Sequence, residues 1–226
     1  MLTDRRTSFD TVHATAQEEA YQHIKRGIRT GELRPGMRLA PDDIAAEIGT
    51  SRMPVREALN RLATEGLIVN RPNRGSVVRV LTEKEVREVF AMRSVLEGLA
   101  ATLAAENVTT NDIHDLEQLL QRMHRSGLNA SEWITAHRQF HERLCTIADA
   151  PQLMRQIASL HSVSEPLMRV WLEGKPSTDY VHDRHEELIG ALKARDGAKV
   201  EALMRAHILR CLLYTSDAAD DMQCVD

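Results

Sequence analysis

The chain has 226 residues, a formal net charge of −4, 42% hydrophobic and 27% charged residues, which is the mix of an ordinary globular protein of one or two domains. No apolar run approaches the roughly 20 residues that span a bilayer, and the polar start Met1–Asp10 is not a signal peptide. Cys145, Cys211 and Cys224 have neither paired nor C-x-x-C spacing, which excludes a disulfide scaffold and fits a reducing cytoplasm. The acidity is uneven: residues 1–80 carry 13 Lys and Arg against 10 Asp and Glu. Within 51–80, six arginines (52, 56, 61, 71, 74 and 79) face only Glu57 and Glu65. Such a segment is either a solvated charged face or a source of the local positive potential that phosphate binding requires.

Residues 1–13 are expected to be disordered. Ala14 to Thr30 reads as a helix with Tyr21, Ile24 and Ile28 on one face and Gly31 as its stop. Residues 31–39 hold two Gly and a Pro, so they form a turn with room for a short extended piece. Pro41 suits the first turn of a second helix ending at Gly49. Ser51 is an N-cap for a third helix that buries Val55, Leu59 and Leu62 and stops at Gly66. Leu67–Val69 and Val77–Val80 are β-prone runs around the turn Asn70–Gly75. Three helices followed by a β-hairpin wing is the element order of a winged helix-turn-helix, expected over 14–80.

Thr82 and Glu85 spell a capping box. From there to Arg210 no strand signal is present, and six helices fit: about 83–105, 110–126, 131–148, 151–173, 178–195 and 197 onward. The expected fold is mainly α, an N-terminal winged helix-turn-helix and an all-α six-helix bundle over 83–210. The tail CLLYTSDAADDMQCVD (211–226) breaks the amphipathic pattern. CLLYTSDAAD resembles one translation frame of a transposon-type sequencing adapter. Residues 211–226 are therefore expected to be a non-native tail that cuts the last helix short.

A helix that reads the major groove needs groups on one face that reach base edges or phosphates. Arg52 and Arg56 share a face opposite Val55 and Leu59, with Ser51 and Met53 beside them. Arg74-Gly75 at the hairpin tip offers a cation on a turn that can approach DNA closely. Alternatively, Arg56 pairs with Glu57 or Glu65, or is only solvated.

The segment from Ala20 to Val78 resembles the winged-helix domain of GntR-family bacterial regulators. The most specific stretches are Gly31-Glu32-Leu33-Arg34-Pro35-Gly36, Ser51-Arg52-x-Pro54-Val55-Arg56-Glu57-Ala58-Leu59 and Leu62-x-x-Glu65-Gly66-Leu67. The resemblance implies that Arg52 and Arg56 contact an operator and that the Arg74-Gly75 tip enters the minor groove. Asp42 stands where many members carry a basic residue, which removes one expected DNA contact.

In the helical part, His137 and His141 lie four apart on one expected helix, and His185 and His207 lie on two others. Four such nitrogens can form a metal site inside a bundle; with ten His in the chain, ordinary core or surface histidines are the default. The pattern is not H-E-x-x-H, so a zinc protease is not indicated. Arg93 lies on the stripe Val86, Phe90, Arg93, Leu96, Ala100, where a cation needs a partner. That partner is a ligand carboxylate held in a bidentate clamp, or Glu97 four residues on.

Residues 83–210 resemble the FCD domain of the FadR branch of the GntR family. The anchors are Met92-Arg93-x-x-Leu96-Glu97, Phe140-His141-x-x-Leu144 and His185-Glu186-x-Leu188, followed by Asp196-Gly197 and His207. With six helices rather than seven, the segment resembles the VanR-like subgroup. Relatives with these histidines commonly hold a divalent metal, often zinc, using Asp or Asn four residues before the Phe-His histidine; His137 stands there. Four neutral imidazoles favour zinc or nickel over manganese. The expected protein is a cytoplasmic homodimeric repressor of double-stranded operator DNA, not an enzyme. Its effector is a small organic acid bound near the metal and Arg93. Two other readings are a regulator whose signal is the metal itself, and a metal-dependent hydrolase, for which Glu142 and Glu186 are the nearest candidate bases.

Overall fold

A computed structural model describes residues 5–71, 75–125, 127–173 and 184–223. The chain divides into two compact units, residues 1–80 and 81–226. Arg74, the expected break at 174–176 and the first residues of the helix read at 178–195 lie outside the described residues.

The first unit runs α1 (Arg5–Thr30), β1 (Arg38–Leu39), α2 (Pro41–Ile48), α3 (Arg52–Thr64), β2 (Ile68–Arg71) and β3 (Gly75–Val78). Helix α1 starts nine residues before Ala14: no Gly or Pro interrupts the chain from Arg5 to Arg26, so the backbone carries the helix back through the segment expected to be disordered. The three strands form an antiparallel sheet in the order β1-β3-β2, with Arg38 opposite Val77 and Ile68 opposite Val78. Two left-handed glycines shape the turns around α3. Gly49 (φ 71°) closes α2. Gly66 (φ 76°) follows the end of α3, where its N–H donates to Ala63 O and that of Leu67 donates to Leu62 O. That pair of bonds is a Schellman ending, which favours glycine because a side chain at positive φ is strained.

Tyr21, Ile24 and Ile28 of α1 are buried with Val55, Leu59 and Leu62 of α3. A polar cluster clips the same two helices together. Tyr21 donates its hydroxyl to Glu65 at 2.8 Å, Lys25 reaches Glu65 at 3.2 Å, and Arg61 stacks 3.6 Å from the Tyr21 ring centre while pairing with Glu18 at 2.7 Å. Glu65 is thus engaged by Tyr21, Lys25 and Arg61, not by Arg56.

Among the described residues the second unit is all helical: α4 (Glu83–Asn107), α5 (Thr110–Met123), α6 (Ala130–Thr146), α7 (Pro151–Leu172), α8 (His185–Lys193) and α9 (Gly197–Gln223). Capping boxes start three of them: Thr82 with Glu85, Thr109 with Asp112, and Asn129 with Glu132, each satisfying N–H groups that a helix start leaves open. Helix α4 is the central rod, packed by α6, α7, α8 and α9. It lets α9 come close because Gly98 presents no side chain; a Cβ there would stand 2.8 Å from Arg205 Cγ. Helix α9 continues past Arg210, with no Gly or Pro from 198 to 223, and Cys211 joins the core.

Candidate functional site

The apolar faces that build the bundle of the second unit are interrupted at one level by polar side chains. His137 and His141 come from α6, His185 from the first residue of α8 and His207 from α9. All four are buried, at 1–3% exposure, and their ring centres lie 4.5–5.7 Å apart. One nitrogen from each falls within a 4.8 Å span, and the Nε2 atoms of His141 and His207 are 2.9 Å apart. Four nitrogens bound to one zinc ion at about 2.0–2.1 Å in a tetrahedron lie about 3.4 Å apart, so a contraction of the set by about 1.4 Å at its widest brings it into bonding range. The donor chemistry also fits. Burial first, and then its histidine neighbours, push the His137 imidazolium form well below its ordinary range. His141 is lowered to about 4, chiefly by burial, against the opposing bond to Glu97. His137 and His141 are thereby held neutral, which is the form that donates a lone pair to a metal.

Behind this cluster lies a charged network that spacing only partly foretells. Glu97 of α4 is fully buried and accepts from three sides: Arg93 Nε at 2.8 Å, His141 Nδ1 at 3.0 Å and His161 Nε2 at 2.9 Å. Burial alone would raise its carboxyl. Arg93 and His161 beside it, with the hydrogen bonds from His141 and His161, outweigh burial and hold it well below the usual carboxylate range. A carboxylate only accepts, so the Nδ1 of His141 carries the proton and its Nε2 points toward the other histidines. Arg93 also donates to Ser164 Oγ at 3.2 Å. The internal Arg93–Glu97 pair, one of the two partners open from sequence, is therefore formed.

A cavity of about 20 Å³ adjoins the cluster, lined by Arg93, His137, His141, His161, Ser164 and Arg138 among others. It has room for little more than one water. His161 and Ser164 are functional candidates that the sequence analysis did not single out. Their signal was a run of polar residues (His161, Ser164, Glu165) on α7 between the buried Ile157 and Leu167.

The two carboxylates considered as hydrolytic bases are placed elsewhere. Glu142 is held by Arg138 at 2.6 Å, and the largely exposed Glu186 lies 3.7 Å from His124.

In the first unit, Ser51 stands just before α3 in an extended conformation, with its hydroxyl making no cap bond. Arg52, Met53 and Arg56 occupy the first turns of α3 and are exposed, Met53 at 58%. Arg52 pairs with Asp42 of α2. Arg56 makes no ion pair among the described residues. Gly75 opens β3 at φ 73°, with no atom within 4 Å of where a Cβ would stand. One exposed row of α3 and the edge of the hairpin thus carry the groups that sequence spacing brings together, while Arg74 lies outside the described residues.

Comparison with known proteins bears on both units. Residues 16–78 match the model of the bacterial regulatory proteins of the gntR family, and residues 88–210 match the FCD domain. The chain is 32% identical over 178 residues to the Nta operon transcriptional regulator of Aminobacter aminovorans, covering 78% of this chain and 83% of the relative. It is 29% identical over 193 residues to the HTH-type transcriptional repressor RspR of Escherichia coli, covering 84% and 85%. Among solved structures, Escherichia coli McbR/YncC shares the fold with a TM-score of 0.80 at 24% identity, over 89% of this chain and 97% of that one.

Proposed function

The chain belongs to the FCD-domain regulators of the bacterial GntR family, which are DNA-binding transcriptional regulators, and we propose that this one is a repressor whose hold on its operator is set by a small organic acid. The observation that carries the proposal is the convergence of four buried histidines from three helices beside a cavity lined by Arg93. His137, His141, His185 and His207 would hold a divalent ion, zinc before nickel, because an all-imidazole set suits the later first-row metals. When bound, the ion supplies positive charge that attracts a carboxylate.

The chain's own residues do the rest. Glu97 fixes the tautomer of His141 and balances Arg93. Arg93 uses its remaining guanidinium N–H for the acid. Arg138 and Met168, long side chains on the cavity wall, give way to admit a molecule larger than the one water that fits now. In the DNA-binding unit, Ser51, Arg52, Met53 and Arg56 meet base edges and phosphates in the major groove, and Arg74 with Gly75 meets the minor groove. The protein acts in the cytoplasm as a homodimer on a two-fold operator. The acid must bind the free and DNA-bound forms with different affinity, since otherwise it shifts nothing.

The test is metal analysis of the purified chain together with operator titrations in the presence of carboxylates. About one metal per chain, with DNA release by an acid but not by metal alone, supports the reading. Release or binding that follows the metal alone identifies the ion as the signal.

A further inference from the structure

A second cleft of the helical unit, about 260 Å³ in volume, lies where the end of α5 meets the start of α6. It shares no lining residue with the cavity beside the histidines. Arg122, in the last turn of α5, and Arg125, just past its end, both line it. Neither guanidinium has a hydrogen bond or an ion pair among the described residues. Arg122 complements the negative end of the α5 dipole, but Arg125 lies beyond that helix. Two like charges three residues apart repel, so the pair is unfavourable until an anion lies between them. Ser131 and Thr135, one turn apart on α6, line the same cleft. Thr135 donates its hydroxyl to Ser131 O at 2.8 Å, which leaves the Ser131 hydroxyl as the donor for a ligand. The positive end of the α6 dipole adds to the potential there. Glu132 is the carboxylate on the described wall, and it is turned back to accept from Asn129 N at 3.0 Å. The cleft therefore sets two positive charges against one negative, beside apolar surface from Leu128 and Ala136.

We propose that this cleft is a second ligand site, for a short phosphate ester held by Arg122 and Arg125. A phosphate monoester carries about −1.5 to −2 charge at neutral pH, enough to neutralise both guanidinium groups in the presence of Glu132. Its three terminal oxygens match two planar forks and the Ser131 hydroxyl, whereas a carboxylate, with two oxygens and one charge, satisfies one fork. Leu128 and Ala136 receive the carbon skeleton. The volume lies just under the range of ordinary small-molecule sites, about 300–1,000 Å³, which suits a small ester. Ala136 directly precedes His137 on α6, so the ligand rests against the helix that carries two of the clustered histidines. The proposal stands apart from the acid-effector reading and does not depend on it.

The experiment is calorimetric binding of glycerol 3-phosphate, inorganic phosphate and glycerol to the full chain, with and without chelator treatment. The expected result is one glycerol 3-phosphate per chain, bound more tightly than inorganic phosphate, with no binding of glycerol and no change on chelation. Arg122→Gln and Arg125→Gln should each weaken it at least tenfold, the range of one charge-assisted contact. Their melting temperatures should not move, because both side chains are exposed and unpaired. Glu132→Gln keeps the capping box and removes the opposing charge, so it should tighten binding about two- to fivefold. A merely structural role for these residues would shift the melting temperature and leave phosphate affinity alone. Affinity that is unchanged in both arginine variants overturns the proposal. Binding that disappears on chelation places the phosphate at the histidine cluster, and binding that disappears in Arg52→Ala or Arg56→Ala places it on the DNA face; either overturns it. Operator affinity measured without phosphate should be the same in Arg122→Gln, Arg125→Gln and the parent chain. A loss there assigns the two arginines to DNA phosphates and overturns the metabolite site. The absence of saturable binding of either phosphate also overturns it and leaves the acid-effector reading intact.

Discussion

Nδ1 of His141 lies 3.0 Å from Oε2 of Glu97, with both side chains out of reach of solvent. This is the arrangement in which a carboxylate orients a metal-binding imidazole, and removing such a partner typically costs 10–100-fold in metal affinity. Glu97→Gln is expected to weaken zinc binding by about that factor, read by competition with a chromophoric chelator. It also leaves Arg93 buried beside a neutral amide, so the melting temperature of the variant falls as well. Unchanged zinc affinity would remove Glu97 from the site.

Acid should destabilise the chelator-treated protein. The folded-state value of His141 is about 4 against the usual 6.5, and that of His137 is also well below it. Between those values the unfolded chain binds protons that the folded chain refuses. Stability is therefore complete above about pH 6.5 and is lost as the pH falls toward 4. For His141 alone the loss is about 3 kcal/mol, at 1.36 kcal/mol per unit. Glu97, held below the usual carboxylate range, adds stability that is present above about pH 4.5 and fades as the pH falls through its lower folded value. Thermal melts from pH 8 to pH 4 should show this decline, and a flat profile would mean the histidines are hydrated in solution.

Asp42 should restrain DNA binding. It pairs with Arg52 on the exposed face of α2 and α3, and it places a negative charge beside the proposed DNA contacts. Asp42→Asn is expected to tighten operator binding about two- to fivefold, the worth of an exposed ion pair. Arg52→Ala and Arg56→Ala should each weaken it, by about 1–3 kcal/mol for a base contact or with a salt slope reduced by roughly one for a phosphate contact. Fluorescence anisotropy at several salt concentrations distinguishes these cases. An Asp42→Asn protein that binds more weakly would make Asp42 a base-reading residue instead.

Gly66→Ala should cost about 1 kcal/mol without touching the DNA face. The residue sits at φ 76° in the turn after α3, and a Cβ there would come 3.1 Å from Arg79 Nη1. For a unit of this size that is a drop of roughly 4–8 °C in melting temperature. An unchanged melting temperature would mean that the turn rearranges without penalty.

Much of this was legible in the sequence because local rules act at close range. Pro41, Gly49, Ser51 and Gly66 mark element ends by backbone geometry alone, and Thr82 with Glu85 announces a helix by a bond three residues long. The pair His137 and His141 could be placed on one face by helical spacing. That His185 and His207 join them depends on packing between helices, which no spacing encodes. Family resemblance supplied that link, and the structure brings the four rings together. His161 escaped notice because its significance comes from Glu97, 64 residues away. The ion pair between Asp42 and Arg52 was hidden likewise, since it crosses from one helix to the next. The extent of α1 back to Arg5 was missed because polar composition was taken as disorder where nothing in the backbone stops a helix.

The most direct measurement is the affinity of the zinc-loaded protein for an operator duplex, recovered by selection from random DNA, with and without a saturating small carboxylate. Nanomolar, sequence-specific binding is expected, weakening at least tenfold when the acid is added, with no such response in Arg93→Ala or in protein stripped of metal. Operator affinity that is indifferent to every acid, with metal bound at His137, His141, His185 and His207, would contradict it.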